Sequence, residues 1–442
     1  MSTIGRSPFA WLEFDENGGL VDPGAVAKLA LLLAPATIGD LVVIAHGWKN
    51  DKADATRLYS TLWNNSCAAL RTKQPERIAV CGILWPAKAY QTDFDQAALM
   101  DAGDGQTLSA SGTGTSRDLN EDEFAAILDD FRDVFGPAAE DAIAKARAAA
   151  ERGLNDARAR ALYHTATAAA GPDPASPDRE LAADAVPFSN PDDAQAIIAG
   201  LAAPPPMRTK PGMGATQGLL DGASTVFSGT RAAIARFLNQ LTYYAMKKRA
   251  GVVGAALGGT VLPQLAPGHP VRLHLVGHSF GARLVTAAAS GLPSQLALEF
   301  FSLTLLQGAF SHNALAAMVQ PGLPGAFANV IGRPRGPIAV THTHNDRACT
   351  LWYALASRLS RDIAAAIGDH TDPYGAMGAN GPQHLDPNAR AQGNAGPPFA
   401  PVAGKVNPFL ADGYVVQTDQ TDAHNNVTNA TVGQLVAAVI EA

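Results

Sequence analysis

Residues 273–281 read LHLVGHSFG: an apolar run, then a serine with one glycine two places before it and another two places after. In a chain with 42 glycines the G-x-S-x-G pattern alone is a weak signal, and its surroundings decide the reading. The run before it, VRLHLVG (271–277), has the composition of a buried strand. The run after it, GARLVTAAASG (281–291), has the spacing and small side chains of a helix lying close on a sheet. In that order Ser279 sits at the tip of a sharp strand-to-helix turn in an unfavourable backbone conformation. Gly277 and Gly281 then stand where a side chain would collide with the neighbouring strand and helix.

The same alternation extends outward on both sides. PFAWLEFD (8–15) is a predicted strand and DPGAVAKLALLLAP (22–35) a helix, with Asp22 as its cap and Pro23 in its first turn. DLVVIAHGW (40–48) and RIAVCGILWP (77–86) are buried strands, separated by the amphipathic helix ADATRLYSTLWNNSCAAL (53–70). Downstream come the helix TRAAIARFLNQLTYYAMKKRAG (230–251), the strands FFSLTLLQGAF (300–310) and GPIAVTHTHND (336–346), and the helix RACTLWYALASRLSRDI (347–363). A short last strand, DGYVVQTD (412–419), and the helix ATVGQLVAAVIEA (430–442) close the chain. Buried strands alternating with helices predict an α/β class with a mostly parallel sheet covered on both faces.

The alternation is interrupted once. Between about 88 and 225 the sequence offers only helical stretches, such as EDEFAAILDDFRDVFG (121–136) and AAEDAIAKARAAAERGLNDARARAL (138–162), joined by polar or Pro-rich loops. This reads as an insertion, giving the organisation 1–90 (core, first part), 91–225 (mainly helical, partly irregular cap) and 226–442 (core, second part). It leaves the C-terminal end of a parallel strand, the edge that also carries Trp48 and Ser279, so it is expected to cover the mouth of the site.

Composition narrows the function classes. Thirty-three basic against 40 acidic residues give a net charge of −7, and the longest basic run is KKR (247–249), read as the solvated end of a helix. A nucleic-acid partner is therefore not expected. AGVVGAALGGTVLPQLAPG (250–268) is broken by glycines and Pro263, so no integral membrane segment is expected. No basic-then-apolar leader opens the sequence, and three unpaired-looking cysteines fit a reduced, cytoplasmic setting.

Two further pieces fall where a nucleophilic serine needs them. The turn AHGW (45–48) ends a buried strand and can aim the Trp48 N–H at a developing oxyanion, with the Phe280 N–H as its partner. An acid is expected after the serine at a later strand end, where VTHTHNDRA (340–348) supplies Asp346. His342, His344 and Asp346 alternate and could project together as metal ligands, but a strand mouth beside an acid commonly carries polar residues, and neither a metal nor another cofactor is expected.

The succession HGW, LWP, GHSFG, acid and histidine resembles the α/β-hydrolase superfamily of serine hydrolases. IAHGWKNDKADATRLYSTL (44–62) is similar in particular to its uncharacterised bacterial branch. The resemblance covers about residues 9–88 and 226–442 and leaves out the insertion. It implies an α/β-hydrolase fold and a triad of Ser279, Asp346 and His424, the last lying between the final strand and helix where the family places its general base. His384 is the rival base; Asp419 and Asp422 are rival acids too close in sequence to His424. His46, Trp48 and His278 are expected to meet substrate. The implied activity is hydrolysis of small-molecule or lipid-like carboxylic esters through an acyl-enzyme. Lipase and amidase or peptidase chemistry are alternatives, as is a non-catalytic binding scaffold on the same fold.

Overall fold

The computed structural model describes residues 2–87, 116–189, 191–202, 226–319, 322–346, 348–349 and 375–442. The chain divides into two compact units, Met1–Lys88 with Met246–Cys349 and Gly375–Ala442, and Ala89–Ala245 with Thr350–Tyr374. The division falls inside the helix Thr230–Ala256, some twenty residues beyond the sequence-based limit, because residues such as Phe237, Leu238 and Leu241 pack into the core of the second unit.

The first unit is built on one sheet of eight strands. These are β1 (Ser2–Ile4), β2 (Ser7–Glu13), β3 (Asp40–Ala45), β4 (Ile78–Leu84), β7 (Arg272–His278), β8 (Glu299–Leu306), β9 (Ile338–His342) and β10 (Val406–Leu410), in the spatial order β1-β2-β4-β3-β7-β8-β9-β10. All pairings are parallel except the β1–β2 hairpin, and β3, β4 and β7 are almost continuously buried, as strands covered on both faces must be. The α/β class expected from the alternation is what the chain forms.

From β3 the chain steps to β4, toward the β1 edge; β7 then lies on the other side of β3, and β8, β9 and β10 continue toward the opposite edge. The direction of winding reverses between β3 and β7, and in open α/β sheets such a switch point is where ligands characteristically bind. The turns that follow these two strands carry HGW and GHSFG.

Three expectations are corrected. The last strand is Val406–Leu410, not 412–419, which forms turns with a single bridge between Thr418 and Thr421. Pro408 made VNPFL read as loop; β10 is the outermost strand, paired with β9 and beyond that only bridged at Val406 to Arg390 among the described residues, and at such an edge a missing N–H is tolerated. KKR is not a helix end but lies inside Thr230–Ala256, with Lys247 fully buried and Arg249 donating to the Pro86 carbonyl at 2.8 Å. The helix after Asp22 begins at Ala25 with Gly24 as its cap; Asp22 accepts from the Gly24 N–H and from Lys28 instead. The predicted helix at 347–363 lies outside the described residues apart from 348–349.

Among the described residues of the second unit the only strands are two-residue β5 (Ser116–Arg117) and β6 (Val226–Phe227). Its helices include Glu121–Phe135, begun by a capping box between Asn120 and Glu123, then Glu140–Arg152 and Asp156–Ala170. Phe124, Ile127, Leu128 and Phe131 share one face and are buried with Leu162, Tyr163 and Phe237, as their helical spacing required.

At the N-terminal end of the first unit's sheet a buried polar network ties three strands together. Asp40 accepts from Lys73 Nζ at 2.8 Å, Arg272 Nε at 2.9 Å and His274 Nε2 at 3.0 Å, and His274 Nδ1 meets Ser302 Oγ at 2.8 Å. Removing the one acceptor that three donors share leaves them uncompensated, and His274 cannot reach water. Asp40→Leu is therefore expected to lower unfolding stability by about 2–4 kcal/mol, read from the urea midpoint. An unchanged midpoint would show that the network contributes nothing.

Candidate active site

Ser279 is the residue between β7 and the helix Phe280–Gly291, with φ 57° and ψ −124°. A non-glycine residue with that φ is strained, and its neighbours hold it there. The Ser279 N–H donates to Leu306 O at 3.0 Å, and its carbonyl accepts from Ala282 N at 3.0 Å and Ala309 N at 3.2 Å. Although it precedes a helix, its side chain makes no capping bond, which leaves the hydroxyl available elsewhere. The space around the turn is minimal. A Cβ on Gly281 would lie 2.2 Å from Ala45 O, and one on Gly47 would lie 2.6 Å from Ser279 Cβ, so neither position accepts any other residue without displacing backbone.

The structure brings Ser279, His424 and Asp346 together. Ser279 Oγ lies 2.8 Å from His424 Nε2, and His424 Nδ1 lies 2.8 Å from Asp346 Oδ2 on the far side of the ring. Parallel strands deliver all three: Ser279 follows β7, Asp346 follows β9, and His424 lies in the loop between β10 and the last helix. Ser279 is 6% exposed and Asp346 is fully buried. His384, the rival base, donates from Nδ1 to Asn313 Oδ1 at 2.8 Å, and Asp422 accepts from the N–H and side-chain amide of Asn425.

Electrostatics bias the pair toward proton transfer. Burial pushes the Asp346 pKa up, but the charge of His424, its hydrogen bond, the Cys349 N–H at 2.9 Å and the Gln307 amide at 3.2 Å outweigh it and hold the carboxyl below its ordinary value. Burial pushes His424 down; the charge and hydrogen bond of Asp346, helped by Asp422 and opposed by Lys49, raise it overall above 6.5. A carboxylate that stays ionised thus orients an imidazole that is more basic than usual.

The HGW turn is assembled from below. Tyr59, on the helix Lys52–Ala69, donates to Ile83 O at 2.6 Å and accepts from the His46 N–H at 2.8 Å, and Trp85 Nε1 donates to His46 O at 3.0 Å. Asn50 donates to the carbonyls of Gly47 and Trp48, and Lys49 takes φ 66° with its N–H on Ala87 O. The Trp48 ring sits 6.1 Å from that of Phe280, so the two residues expected to donate to an oxyanion are neighbours. His46 and His278, expected to meet substrate, are placed inside. His46 is 0% exposed, stacked on Trp85 at 5.7 Å and neutral because burial lowers its pKa to about 4. His278 is 2% exposed with Nε2 on His424 O at 2.9 Å. Burial and the closeness of each ring to structural partners make both part of the site's frame.

Sequence reasoning did not single out Gln307 or Cys349. Gln307 follows β8 directly, with φ 46°, and donates from one amide nitrogen to both Asp346 Oδ2 and Gly378 O. A buried amide at the end of an apolar strand was the available signal. The Cys349 thiol lies 3.7 Å from His424 Nδ1 and donates weakly to the carbonyls of Gln307 and Gly308 at 3.8 Å. Among the described residues, Asp346, Cys349 and His424 are the group whose ligand atoms lie within 4.8 Å of one another. The alternating set His342, His344 and Asp346 is not brought together: His344 Nδ1 pairs with Asp412 at 2.8 Å instead.

Ser302, His274 and Asp40 form a second serine–histidine–aspartate chain with similar distances. Its serine lies within β8, just after a register irregularity in the β7–β8 pairing, and is 1% exposed, in the network at the N-terminal end of the sheet. Side-chain order alone does not separate the two; Ser279 sits on a strained strand-to-helix turn and Ser302 within a strand. No described helix is long and apolar enough to cross a membrane. Comparison with family models, with curated proteins and with solved structures gave no match for this chain.

Proposed function

We propose that this protein is a serine hydrolase of the α/β-hydrolase fold that cleaves carboxylic esters through an acyl-enzyme. The observation that carries this reading is the relay of Ser279, His424 and Asp346 at 2.8 Å per step, with its serine on a strand-to-helix turn at φ 57°. The chain order serine, aspartate, histidine and the seat of the serine at the top of a parallel sheet support the same fold.

Ser279 Oγ attacks the ester carbonyl carbon while its proton passes to His424 Nε2. The carbonyl oxygen becomes an oxyanion, for which the Trp48 and Phe280 N–H groups are the assigned donors, the second at the positive end of a helix. The tetrahedral species collapses as the bond to the leaving alcohol's oxygen breaks and His424 returns the proton to it. A water molecule, deprotonated by His424, then attacks the acyl carbon, and Ser279 leaves with the proton restored. Asp346 keeps Nδ1 protonated and stabilises the imidazolium at both stages.

A fluorophosphonate probe and a p-nitrophenyl ester series test the proposal together; neither labelling nor turnover with any chain length would refute it. The rate also carries a pH signature. Only neutral His424 can accept the serine proton, and its pKa is raised above 6.5. kcat/KM is expected to fall about tenfold per pH unit below that raised pKa, with the acid limb on the basic side of an ordinary histidine. Activity that stays flat down to pH 4 would point to another base.

A further inference from the structure

We infer that His278, the residue before the nucleophile, is a positioning residue that anchors the general base by its backbone. This inference rests on the proposed hydrolase chemistry and assigns a role that the triad does not include. His278 ends β7, is 2% exposed, and its Nε2 lies 2.9 Å from the carbonyl oxygen of His424; the two rings stand 5.0 Å apart at 45°. A carbonyl can only accept, so Nε2 carries the proton and donates. The other ring nitrogen, Nδ1, is then a bare acceptor, buried without a hydrogen-bond partner among the described residues.

That last feature is informative. A neutral imidazole with one buried nitrogen unsatisfied costs the fold something that an apolar side chain of similar size would not. What the histidine supplies in return is one N–H, aimed at the main chain of the base. The loop carrying His424 is otherwise tied within itself, Asn426 to Val416 O and Asn429 to Tyr414 O, and to its surroundings at points away from His424, by Asn345 donating to the carbonyls of Asp412 and Val415 and by Asn65 reaching Thr428 O. Among the described residues, the His278 bond is the one that joins the sheet to the His424 main chain itself, and it comes from the residue adjacent to Ser279. Nucleophile and base are thereby referenced to the same strand end, so the 2.8 Å between Oγ and Nε2 survives motion of the loop.

Burial and the charge of His424 lower the His278 pKa to about 3, so the anchor stays neutral while His424 becomes cationic in turnover. The other groups that face His424 are Asp346, Cys349, Asp422, Lys49 and Ser279.

The test compares His278→Leu, which keeps bulk and loses the donor, with His278→Gln, whose amide can reach the same carbonyl. His278→Leu is expected to lower kcat on p-nitrophenyl acetate by about 10–100-fold with KM changed less than about threefold, and His278→Gln to recover part of the loss. Histidine-selective 15N NMR of His424 gives a readout independent of turnover: in His278→Leu its titration should move to lower pH, as the Asp346 contact loosens. The urea midpoint should hold or rise. Wild-type kcat with unchanged His424 titration in His278→Leu would overturn the inference, as would a loss of kcat that merely tracks destabilisation while the titration stays put. Should the wild-type protein hydrolyse no ester, the hydrolase reading fails, and the NMR comparison still decides whether His278 positions His424.

Discussion

Ser279→Ala is expected to abolish fluorophosphonate labelling and to lower p-nitrophenyl ester turnover by about five to six orders of magnitude, since members of a serine–histidine–aspartate unit fail together when the nucleophile is lost. The protein should remain folded. Alanine keeps the Cβ, so the φ of 57° stays as strained as before and the backbone bonds to Leu306, Ala282 and Ala309 are untouched. The urea midpoint should therefore match the wild type within error, which separates loss of chemistry from loss of structure. Labelling that persists in the variant would mean another nucleophile reacts, and the assignment of Ser279 would be withdrawn.

Asp346→Asn should cost nearly as much, about four orders of magnitude in kcat, for a reason visible in its contacts. The carboxylate accepts from three donors: His424 Nδ1, the Gln307 amide and the Cys349 N–H. Asparagine replaces one acceptor oxygen by an NH2 group, which must then face one of these donors. If it faces His424, the imidazole moves its proton to Nε2, the nitrogen that has to accept the serine proton. If it faces Cys349 instead, a backbone donor at the base of the acid's turn is left buried and unpaired. Steady-state kinetics with residual slow probe labelling would fit this account, because Ser279 itself stays in place. A loss smaller than tenfold would show that the base is oriented by something other than Asp346.

Much of the arrangement was legible before any coordinates. Local pattern located the strands that end in HGW and GHSFG, because buried parallel strands are short unbroken apolar runs and their turns are glycine-marked. Asp346 was legible as the acid that follows a later strand end. His424 needed a family resemblance to be chosen among 11 histidines. Where local pattern misled, the deciding fact was a neighbour. Pro408 looked like a loop residue until β10 proved to be an edge strand, and Lys247 looked solvated until helix packing buried it.

The sequence by itself determined the α/β class and the strand-serine-helix turn, since these follow from periodicity and from which residues tolerate a strained turn. Tertiary structure alone decided that Ser302, His274 and Asp40 form a second serine–histidine–aspartate chain, that His46 and His278 belong to the frame, and that Gln307 and Cys349 complete the setting of Asp346. The physical reason is common to all three. Exposure, hydrogen-bond partners and pKa shifts are properties of what a side chain meets across strands far apart in sequence, and strand order fixes those meetings only once the chain has folded.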